Sequence, residues 1–337
     1  AMNVWQRGTS NDTASTGDYM CDRWRIQHNG TDGNVDWDQE TASTPDGFAY
    51  ALKVSMDASE TSLDAGDYVY ITQRFEGQDL QHLEKGTANA KKLTLSFYVK
   101  SSVASTYTAS LTDDDNTRII GKTYTISTAN TWEKKVIVFD GDTTGAFNND
   151  ANRSLDLDLW IDAGSTFTSG TFSTEWIAED NSKRVYDTTG WLESTSPTFY
   201  ITGVQLEVGP EATPFEHRSF GDELARCQRY YEKSFDYDTA PAQNTGAVSG
   251  ALTVSGVSTS VRTLLGHVDF AVHKRAVPTI TRYNPFASGT GWSQAGALDI
   301  SSGTYGVGTN GFNMRVEGSA TVTNTNLLIN WTADAEI

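Results

Sequence analysis

Carboxylates and tryptophans are the side chains in this sequence that could do chemistry. The 337 residues include 43 Asp and Glu against 25 Lys and Arg, together with nine Trp. Two converging carboxylates could act as the acid and base of a glycosidase. Clustered carboxylates could instead bind Ca²⁺, and exposed indole rings could stack on the apolar faces of sugars. The chemistry open to the chain is therefore glycan hydrolysis, calcium binding or sugar recognition.

Two acidic turns supply oxygen ligands of the kind that calcium prefers. In the turn Asp113-Asp114-Asp115-Asn116, we expect Asp113 and Asp115 to be the ligands if Ca²⁺ binds. A second acidic turn follows at residues 140–142. Neither has the spacing of an EF-hand loop, so a solvated hairpin turn is the alternative. We expect no required cofactor and leave a structural Ca²⁺ open.

Sequence signatures of catalysis are absent. The five histidines show neither the close pair of a zinc-binding helix nor a partner cysteine pair. The Gly-x-Ser-x-Gly motif, the P-loop and the dinucleotide fingerprint are also missing. The acids cluster in turns, where solubility and turn formation explain them. The sequence predicts a protein that is not an enzyme, although a glycosidase pair among so many acids stays open.

Four tryptophans lie in polar or glycine-rich stretches and could bind a glycan: Trp37, Trp176, Trp191 and Trp292. Trp37 lies between two aspartates, and Trp292 follows a glycine. Trp176 and Trp191 flank a loop that contains Asp180, Asn181, Lys183, Arg184 and Tyr186. Each ring could form exposed contact surface for a sugar or could pack against its own sheet.

The elements that must position these side chains are strands separated by turns. Residues 93–99, 133–139, 155–161 and 199–208 have the alternating or β-branched patterns of strands. Many strands at short spacing, without helical periodicity between them, predict an antiparallel sandwich of jelly-roll type. Strand patterns resume between residues 251 and 332 and predict a second, smaller β-sandwich.

One helix interrupts the strands, over residues 219–233. Ser219 can cap its start, and Asp222 and Glu223 lie where the helix dipole favours acids. Its narrow apolar stripe allows a connector or a position at an oligomer axis. The predicted fold is all-β: an N-terminal jelly-roll β-sandwich over residues 1–217, a connecting helix over 218–234, and a C-terminal β-sandwich over 235–337.

Charge and composition exclude several classes of partner. A net charge of −18 without a basic cluster argues against nucleic-acid binding. No apolar run approaches the ~20 residues of a membrane span, so we expect no membrane insertion. Cys21 and Cys227 are expected to be buried thiols, although one bridge between them stays open. The chain enters residues 3–5 without a leader segment, which leaves open that further sequence lies upstream.

Several segments resemble tail-fibre and other virion-associated proteins of bacteriophages and prophages. They are residues 3–10 (NVWQRGTS), 22–24 (DRW), 203–218 (GVQLEVGPEATPFEHR), 223–231 (ELARCQRYY) and 331–336 (WTADAE). The resemblance touches both ends and the middle of the chain. The first domain is also similar to a carbohydrate-binding jelly roll.

This resemblance implies a non-enzymatic tail-fibre or receptor-binding protein that binds host surface glycans. The implied partners are a host surface polysaccharide, other virion proteins and further copies of the chain in a trimer. The implied location is the virion, in a tail or capsid fibre, after assembly in the bacterial cytoplasm. A purely structural tail or capsid-fibre subunit is one alternative, and a fibre-associated polysaccharide depolymerase is another.

Overall fold

Strands account for most of the regular structure, and the predicted all-β class is confirmed. The computed structural model describes residues 2–259, 263–294, 298–317 and 322–337. The chain divides into two compact units. Unit 1 comprises Ala1–Asn3, Thr9–Arg218 and Ile337, and unit 2 comprises Val4–Gly8 and Ser219–Glu336. Each unit has its own strands and its own buried core.

Unit 1 is a sandwich of two antiparallel six-stranded sheets. Its strands are β1 (Ser10–Asn11), β2 (Trp24–Asn29), β3 (Val35–Glu40), β4 (Ala51–Met56), β5 (Tyr68–Glu76), β6 (Leu93–Ser101), β7 (Thr106–Asp113), β8 (Arg118–Thr125), β9 (Glu133–Phe139), β10 (Arg153–Ala163), β11 (Ile177–Ala178) and β12 (Thr198–Val208). Sheet 1 has the order β1-β3-β4-β12-β6-β9, and sheet 2 has the order β11-β8-β7-β10-β5-β2. A short helix α1 (Ser165–Thr168) and the 3₁₀ turns Gly77–Asp79, Gln81–Leu83 and Asn181–Lys183 lie in the connections.

The core of unit 1 follows from side chains that alternate along each strand. In β10, Leu155, Leu157 and Leu159 are fully buried on one face of sheet 2. In β6, Leu95 and Phe97 are fully buried from sheet 1. Each such side chain contributes about 1.5–3 kcal/mol when it leaves water, so the two inner faces hold the sandwich together. The opposite face of each strand is left for other roles.

A glycine in β12 allows an aromatic ring to cross close to the backbone of sheet 1. Gly203 has a φ of +60°, and a Cβ built there would lie 2.6 Å from Cζ of Phe48. The pairing of β12 with β6 shifts register between Thr202 and Gln205. Only glycine accepts both the left-handed backbone and the close ring without strain.

Unit 2 is built around one long strand. It contains α2 (Phe220–Gln228), β13 (Tyr231–Lys233), β14 (Leu252–Thr259), β15 (Thr263–Asp269), β16 (Thr279–Tyr283), β17 (Trp292–Gln294), β18 (Leu298–Ile300), β19 (Ser302–Tyr305), β20 (Gly311–Val316) and β21 (Val322–Asp334). β21 pairs with β13, β14, β16 and β17, while β15, β20 and β19 form a separate sheet. Trp292, Phe312, Met314, Leu327 and Ile329 form the centre of its core.

The predicted helix is present but ends earlier than expected. Ser219 caps α2, since its side chain accepts a hydrogen bond from the Asp222 backbone N–H at 3.2 Å. The prediction of helix beyond Gln228 is wrong for residues 231–233. These residues form β13, in which Tyr231 pairs with Asp334 of β21. Pairing with a strand a hundred residues away overrides local helical periodicity.

The N-terminal segment Val4–Gly8 packs within unit 2. The side chain of Trp5 is fully buried, and the Trp5 backbone N–H donates a hydrogen bond to the Tyr237 hydroxyl at 2.6 Å. Gln6 Nε2 donates to the Tyr231 carbonyl at 2.9 Å. The Arg7 guanidinium lies 3.7 Å from the centre of the Tyr231 ring and forms an ion pair with Asp334 at 3.4 Å. This segment is therefore an integral part of unit 2.

Two expectations about the whole chain can be placed on the structure. Both cysteines are buried as thiols, as expected, and burial raises the pKa of Cys21 well above its usual value. Within the described ranges, no helix has the length and apolar character needed to cross a membrane.

Candidate functional site

Three of the four tryptophans expected to offer contact surface are buried instead. Trp37 is 3% exposed, and Trp191 and Trp292 are fully buried. Trp37 and Val35 are two positions apart in β3 and share its core face. Trp292 Nε1 donates to the Arg315 carbonyl at 3.0 Å. The expectation of exposed rings at these positions is wrong, and the alternative of packing against their own sheets is correct. The polar neighbours that suggested exposure point to the other face of the strand or lie in turns.

Trp176 is half-buried and is held by its neighbours. Its Nε1 donates to the Asp140 carbonyl at 2.7 Å, and its own carbonyl accepts from Arg118 Nη2 at 3.2 Å. The ring lies 5.6 Å from the ammonium nitrogen of Lys85. Trp176 therefore covers a buried cation rather than standing free as a platform for sugars.

That cation changes the interpretation of the predicted calcium turn. Lys85 Nζ lies 2.5 Å from Oδ2 of Asp113 and 3.1 Å from Oδ2 of Asp142. It also donates to the carbonyls of Thr144 and Gly145, each at 2.8 Å. Two carboxylates and two carbonyls are oxygen ligands of the kind that Ca²⁺ takes, but the ammonium occupies their centre. We name this arrangement the Lys85 cage.

The other predicted ligand is also engaged. Asp115 accepts hydrogen bonds from the backbone and side-chain amides of Asn148, at 3.0 and 2.6 Å. Over the described ranges, no cluster of three or more His, Cys, Asp or Glu is arranged to hold a metal ion. Asp113 and Asp115 therefore do not fit a shared calcium ion, because one carboxylate faces Lys85 and the other fixes a neighbouring loop.

The electrostatics of the Lys85 cage are balanced by a second cation. Arg118 donates to Asp142 through Nε at 2.6 Å and through Nη2 at 3.1 Å. Burial alone would raise the pKa of Asp142, but the hydrogen bonds from Arg118, the Thr144 backbone and Lys85 lower it below its usual value. The cage is thus a fully partnered structural ion cluster.

A depression lies beside β8 and β11, over the outer face of sheet 2. It has a volume of about 660 Å³ and is lined by Thr171, Phe172, Ser173, Ile177, Ala178, Glu179, Asp180 and Lys183. Nearly all of it belongs to the connection from β10 to β12, which we call the 164–190 loop. Sugar sites combine apolar surface with a few well-placed polar groups, and this lining has both.

One aromatic side chain, Phe172, lines this depression, and a second packs against it from outside the lining. Phe172 lies over Gly121 of β8, where a Cβ would come 2.6 Å from the ring. Tyr186 packs edge-on against Phe172 with ring centres 5.8 Å apart, and it is 52% exposed. Tyr186 is thus an exposed aromatic ring with a fixed neighbour, which suits stacking against a sugar.

Backbone hydrogen bonds fix the loop on the sheet. The Tyr186 N–H donates to Thr108 Oγ1 at 3.0 Å, and the Glu179 N–H donates to the Thr117 carbonyl at 2.9 Å. At the end of the loop, the buried Asp162 carboxylate accepts from the backbone of Thr189 at 2.8 Å and of Leu192 at 3.0 Å. The depression is therefore held in shape before any ligand arrives.

Charged groups at the depression are paired within the loop. Glu179 pairs with Arg184, and Asp180 pairs with Lys183 at 3.0 Å. Hydrogen bonds from the Ser182 side chain, from Lys183 and from the Ser182 backbone lower the pKa of Asp180. Ionised carboxylates at the rim can accept hydrogen bonds from sugar hydroxyls.

A buried polar layer lies beneath the loop on the outer face of sheet 2. Tyr70 and Trp160 stack with ring centres 4.3 Å apart. Burial raises the pKa of Asp158, which accepts from Thr112 Oγ1 at 3.1 Å. Burial and then the charge of Asp158 raise the pKa of Asp156 to about 6, against the opposing effect of Arg153. Arg153 and Arg74 therefore pair with Asp156, and Thr112 holds Asp158.

Sequence reasoning identified this loop but not the side chains that matter. It chose the flanking tryptophans, whereas Phe172 and Tyr186 form the accessible aromatic surface. A signal for the polar layer was present. Residues 155–162 alternate strictly between aliphatic residues and Asp or Trp, which places three acids and Trp160 on one face.

Comparison with known proteins gives similarity to solved structures only. No protein-family model and no curated protein sequence matches the chain. The enzymatically active domain of tailspike protein 4 from bacteriophage CBA120 matches 58% of this chain and 21% of its own, at 17% identity and a TM-score of 0.31. A structure described as CBM4 matches 62% of this chain and 100% of its own, at 14% identity and a TM-score of 0.31.

A third similar structure is the family 11 carbohydrate-binding module of a cellulosomal cellulase of Clostridium thermocellum. It matches 59% of this chain and 99% of its own, at 13% identity and a TM-score of 0.30. Similarity at this level leaves the function to be argued from the chain's own residues.

Proposed function

We propose that the chain is a non-enzymatic phage fibre protein whose unit 1 binds a host surface glycan in the depression of the 164–190 loop. The observation that carries this proposal is the position of Phe172. It lines a depression of about 660 Å³ together with the carboxylates of Glu179 and Asp180, and it packs against the exposed ring of Tyr186. An apolar wall with acceptors at the rim suits a pyranose ring, whose faces are apolar and whose edge carries hydroxyls. The virion location rests on the sequence resemblance alone.

A depolymerase is less well supported by the same residues. Asp156 and Asp158 are one close pair of carboxylates with raised pKa values, but both are at most 4% exposed. Arg153 holds Asp156 through two hydrogen bonds, at 2.9 Å from Nε and 2.5 Å from Nη2. A catalytic acid must reach the glycosidic oxygen of its substrate, and these carboxylates are buried and already hydrogen-bonded.

Unit 2 is suited to assembly with other copies or other virion proteins. Among the described residues, eight large hydrophobic side chains are exposed, and unit 2 holds five of them: Phe220, Leu264, Val277, Phe286 and Tyr305. Unit 2 is the smaller unit and yet holds more of these side chains than unit 1. Exposed apolar side chains favour protein contacts, and we propose a homotrimer as the assembly.

The experiment is a glycan array and a binding assay with purified surface polysaccharides, using the full chain and the variants Phe172→Ala and Tyr186→Ala. We expect saturable binding to at least one polysaccharide, weakened about tenfold or more in each variant because stacking surface is lost. Val136→Ala is the matched control, since Val136 is a similarly exposed hydrophobic residue of unit 1 that lies in β9 of the other sheet.

Four outcomes would contradict parts of the proposal. Absence of binding across a broad panel would favour a purely structural subunit. Equal loss in Val136→Ala would remove the depression as the site. Release of oligosaccharides from a bound polysaccharide would favour a depolymerase. Light scattering on the same sample that gave the mass of one chain would contradict the trimer.

A further inference from the structure

Three lysines are less than a tenth exposed among the described residues, and one of them differs from the others. Lys85 is 7% exposed and pairs with Asp113 and Asp142. Lys274 is 2% exposed and pairs with Glu232 at 2.6 Å. Lys100 is 8% exposed, yet no carboxylate of the described residues lies within ion-pair distance of it. A buried charge is costly unless it has a partner of opposite charge.

The surroundings of Lys100 consist of two aromatic rings and one hydroxyl. Its Nζ lies 4.0 Å from the centre of the Tyr200 ring and 5.2 Å from that of Trp132. It donates to Ser43 Oγ at 3.3 Å, while Trp132 Nε1 donates to the carbonyl of the same serine at 2.7 Å. An ammonium has three donors, and among the described residues this hydroxyl is the acceptor that Lys100 has.

A neighbouring acid is committed elsewhere. Glu40 Oε1 accepts from the backbone N–H groups of Ala42 at 2.6 Å and Ser43 at 3.1 Å. Burial lowers the pKa of Lys100, and the charge of Glu40 opposes this from a distance. The protein therefore holds a cation in place without supplying its anion.

The rest of the site is a row across the outer face of sheet 1. Tyr200 of β12 pairs with Lys100 of β6 on one side and with Lys53 of β4 on the other. Lys53 is already paired with Asp38 at 2.9 Å. Trp132 immediately precedes Glu133, the residue that pairs with Val99 next to Lys100. Tyr200 and Trp132 are both half-buried, so each offers part of its ring to a ligand.

We propose that this row, Tyr200–Lys100–Trp132, is a second glycan site that takes a sugar bearing a carboxylate. The carboxylate would accept from the Lys100 ammonium, and the sugar ring would stack on the exposed part of an aromatic ring. A small inorganic anion would satisfy the charge but would leave the rings unused. The site is independent of the depression of the 164–190 loop, which lies on the other sheet.

The test uses oligogalacturonate and α-2,8-linked oligosialate with the full chain, measured by titration calorimetry. The uncharged control ligand is the fully methyl-esterified oligogalacturonate, and sodium acetate tests for a plain carboxylate site. We expect saturable binding of at least one acidic oligosaccharide, about tenfold weaker or worse in Lys100→Met, and no binding of the ester or acetate at matched concentration.

Lys134→Met is the matched control, because Lys134 is an exposed lysine that lies 6.0 Å from the Tyr98 ring on the same sheet. It should bind as the natural sequence does. Lys100→Met should also be at least as resistant to urea, since it removes an uncompensated buried charge. Trp132→Ala, at a half-buried position, provides a second variant that should weaken binding.

Several results would overturn this inference. They are the absence of saturable binding to both acidic ligands, equal binding of the methyl ester or of acetate, and undiminished binding by Lys100→Met. Loss of acidic-glycan binding in Phe172→Ala would also overturn it, because the ligand would then lie in the depression. Failure of the loop site leaves this result unaffected, so the two proposals are tested separately.

Discussion

The ammonium nitrogen of Lys85 lies 2.5 Å from a carboxylate oxygen of Asp113, which is expected from the sequence to be a calcium ligand if Ca²⁺ binds. The two side chains are both buried, and Asp142 together with two backbone carbonyls completes the set of oxygens. A covalently attached cation thus holds the turn that follows β7. Because Lys85 occupies this position, a substitution that removes its ammonium group tests whether an added metal cation can replace it.

Removing the Lys85 ammonium should create a requirement for a cation. In Lys85→Ala, Asp113 and Asp142 face each other without the lysine, which should cost about 3–5 kcal/mol of stability. Ca²⁺ should restore part of this loss, because binding to the native state stabilises it by mass action. Thermal melts with millimolar CaCl₂ and with EDTA measure the effect.

Lys92→Ala is the control for this prediction. Lys92 is an exposed lysine that pairs with Asp140 at 2.7 Å in the neighbouring turn. Its removal should leave stability nearly unchanged and should confer no response to Ca²⁺. A melt of Lys85→Ala that is identical in CaCl₂ and EDTA would show that the remaining oxygens cannot hold the ion.

The Asp156–Asp158 pair should make stability fall as pH rises. The pKa of Asp156 is raised to about 6 in the folded state, so the native protein holds a proton that the unfolded chain releases near pH 4. This contribution to stability is present below about pH 4 and is lost as pH rises through about 6. In Asp158→Asn, the loss between pH 4.5 and 7 should shrink by about 1 kcal/mol, measured by urea unfolding.

Asp46→Asn serves as the control, since Asp46 is an exposed acid of the same unit. Its pH dependence should follow that of the natural sequence. If Asp158→Asn steepened the decline instead, the charge of Asp158 would be supporting Asp156 rather than opposing its ionisation.

Unit 2 should depend on the N-terminal segment. Trp5 is fully buried there, so Trp5→Ala should cost about 3–5 kcal/mol through lost burial and an internal cavity. Trp132→Ala, at a half-buried position of unit 1, should cost less. Urea unfolding followed by hydrogen exchange should assign the loss in Trp5→Ala to strands β13 and β21. Protection of these strands equal to that of the natural sequence would contradict the structural role of Trp5.

Substitutions at two glycines allow the cost of backbone strain to be measured separately from the cost of steric overlap. Gly190 and Gly203 both have positive φ, at +73° and +60°. A Cβ at Gly190 meets nothing within 4 Å, whereas at Gly203 it would lie 2.6 Å from the Phe48 ring. Gly190→Ala should cost about 1 kcal/mol of strain, and Gly203→Ala should cost about 1–3 kcal/mol more. Equal changes in the urea midpoint would show that Phe48 moves aside freely.

The strands could be predicted from sequence because their evidence is local. The predicted strand at residues 133–139 is β9 as observed, and residues 155–161 lie inside β10. The alternation of apolar and polar residues is visible within a few positions. The folded strand keeps it, because one face of each strand lies in the core and the other faces outward. The end of α2 could not be found in this way, since β21 determines it from a hundred residues away.

The sites were harder because exposure and partners are set by tertiary packing. The aspartates on either side of Trp37 suggest an exposed position, but Trp37 shares the core face of β3 with Val35, two positions earlier. Lys85 lies 28 positions before Asp113, and no sequence pattern in either segment predicts their contact. Among the described residues, the lack of a carboxylate partner for Lys100 can likewise be recognised only when the positions of the nearby acids are known.

The position of Trp5 in unit 2 has a consequence for synthesis of the chain. The partners of residues 5–7, which are Tyr231, Tyr237 and Asp334, leave the ribosome long after these residues do. At about 5–20 residues per second, roughly 15–65 s pass before Asp334 is made. During that time the indole of Trp5 has no native burial site, while the residues of unit 1 can already fold. The nascent chain therefore carries an exposed aromatic segment ahead of strand β1, open to chaperones or to a neighbouring chain on the same message.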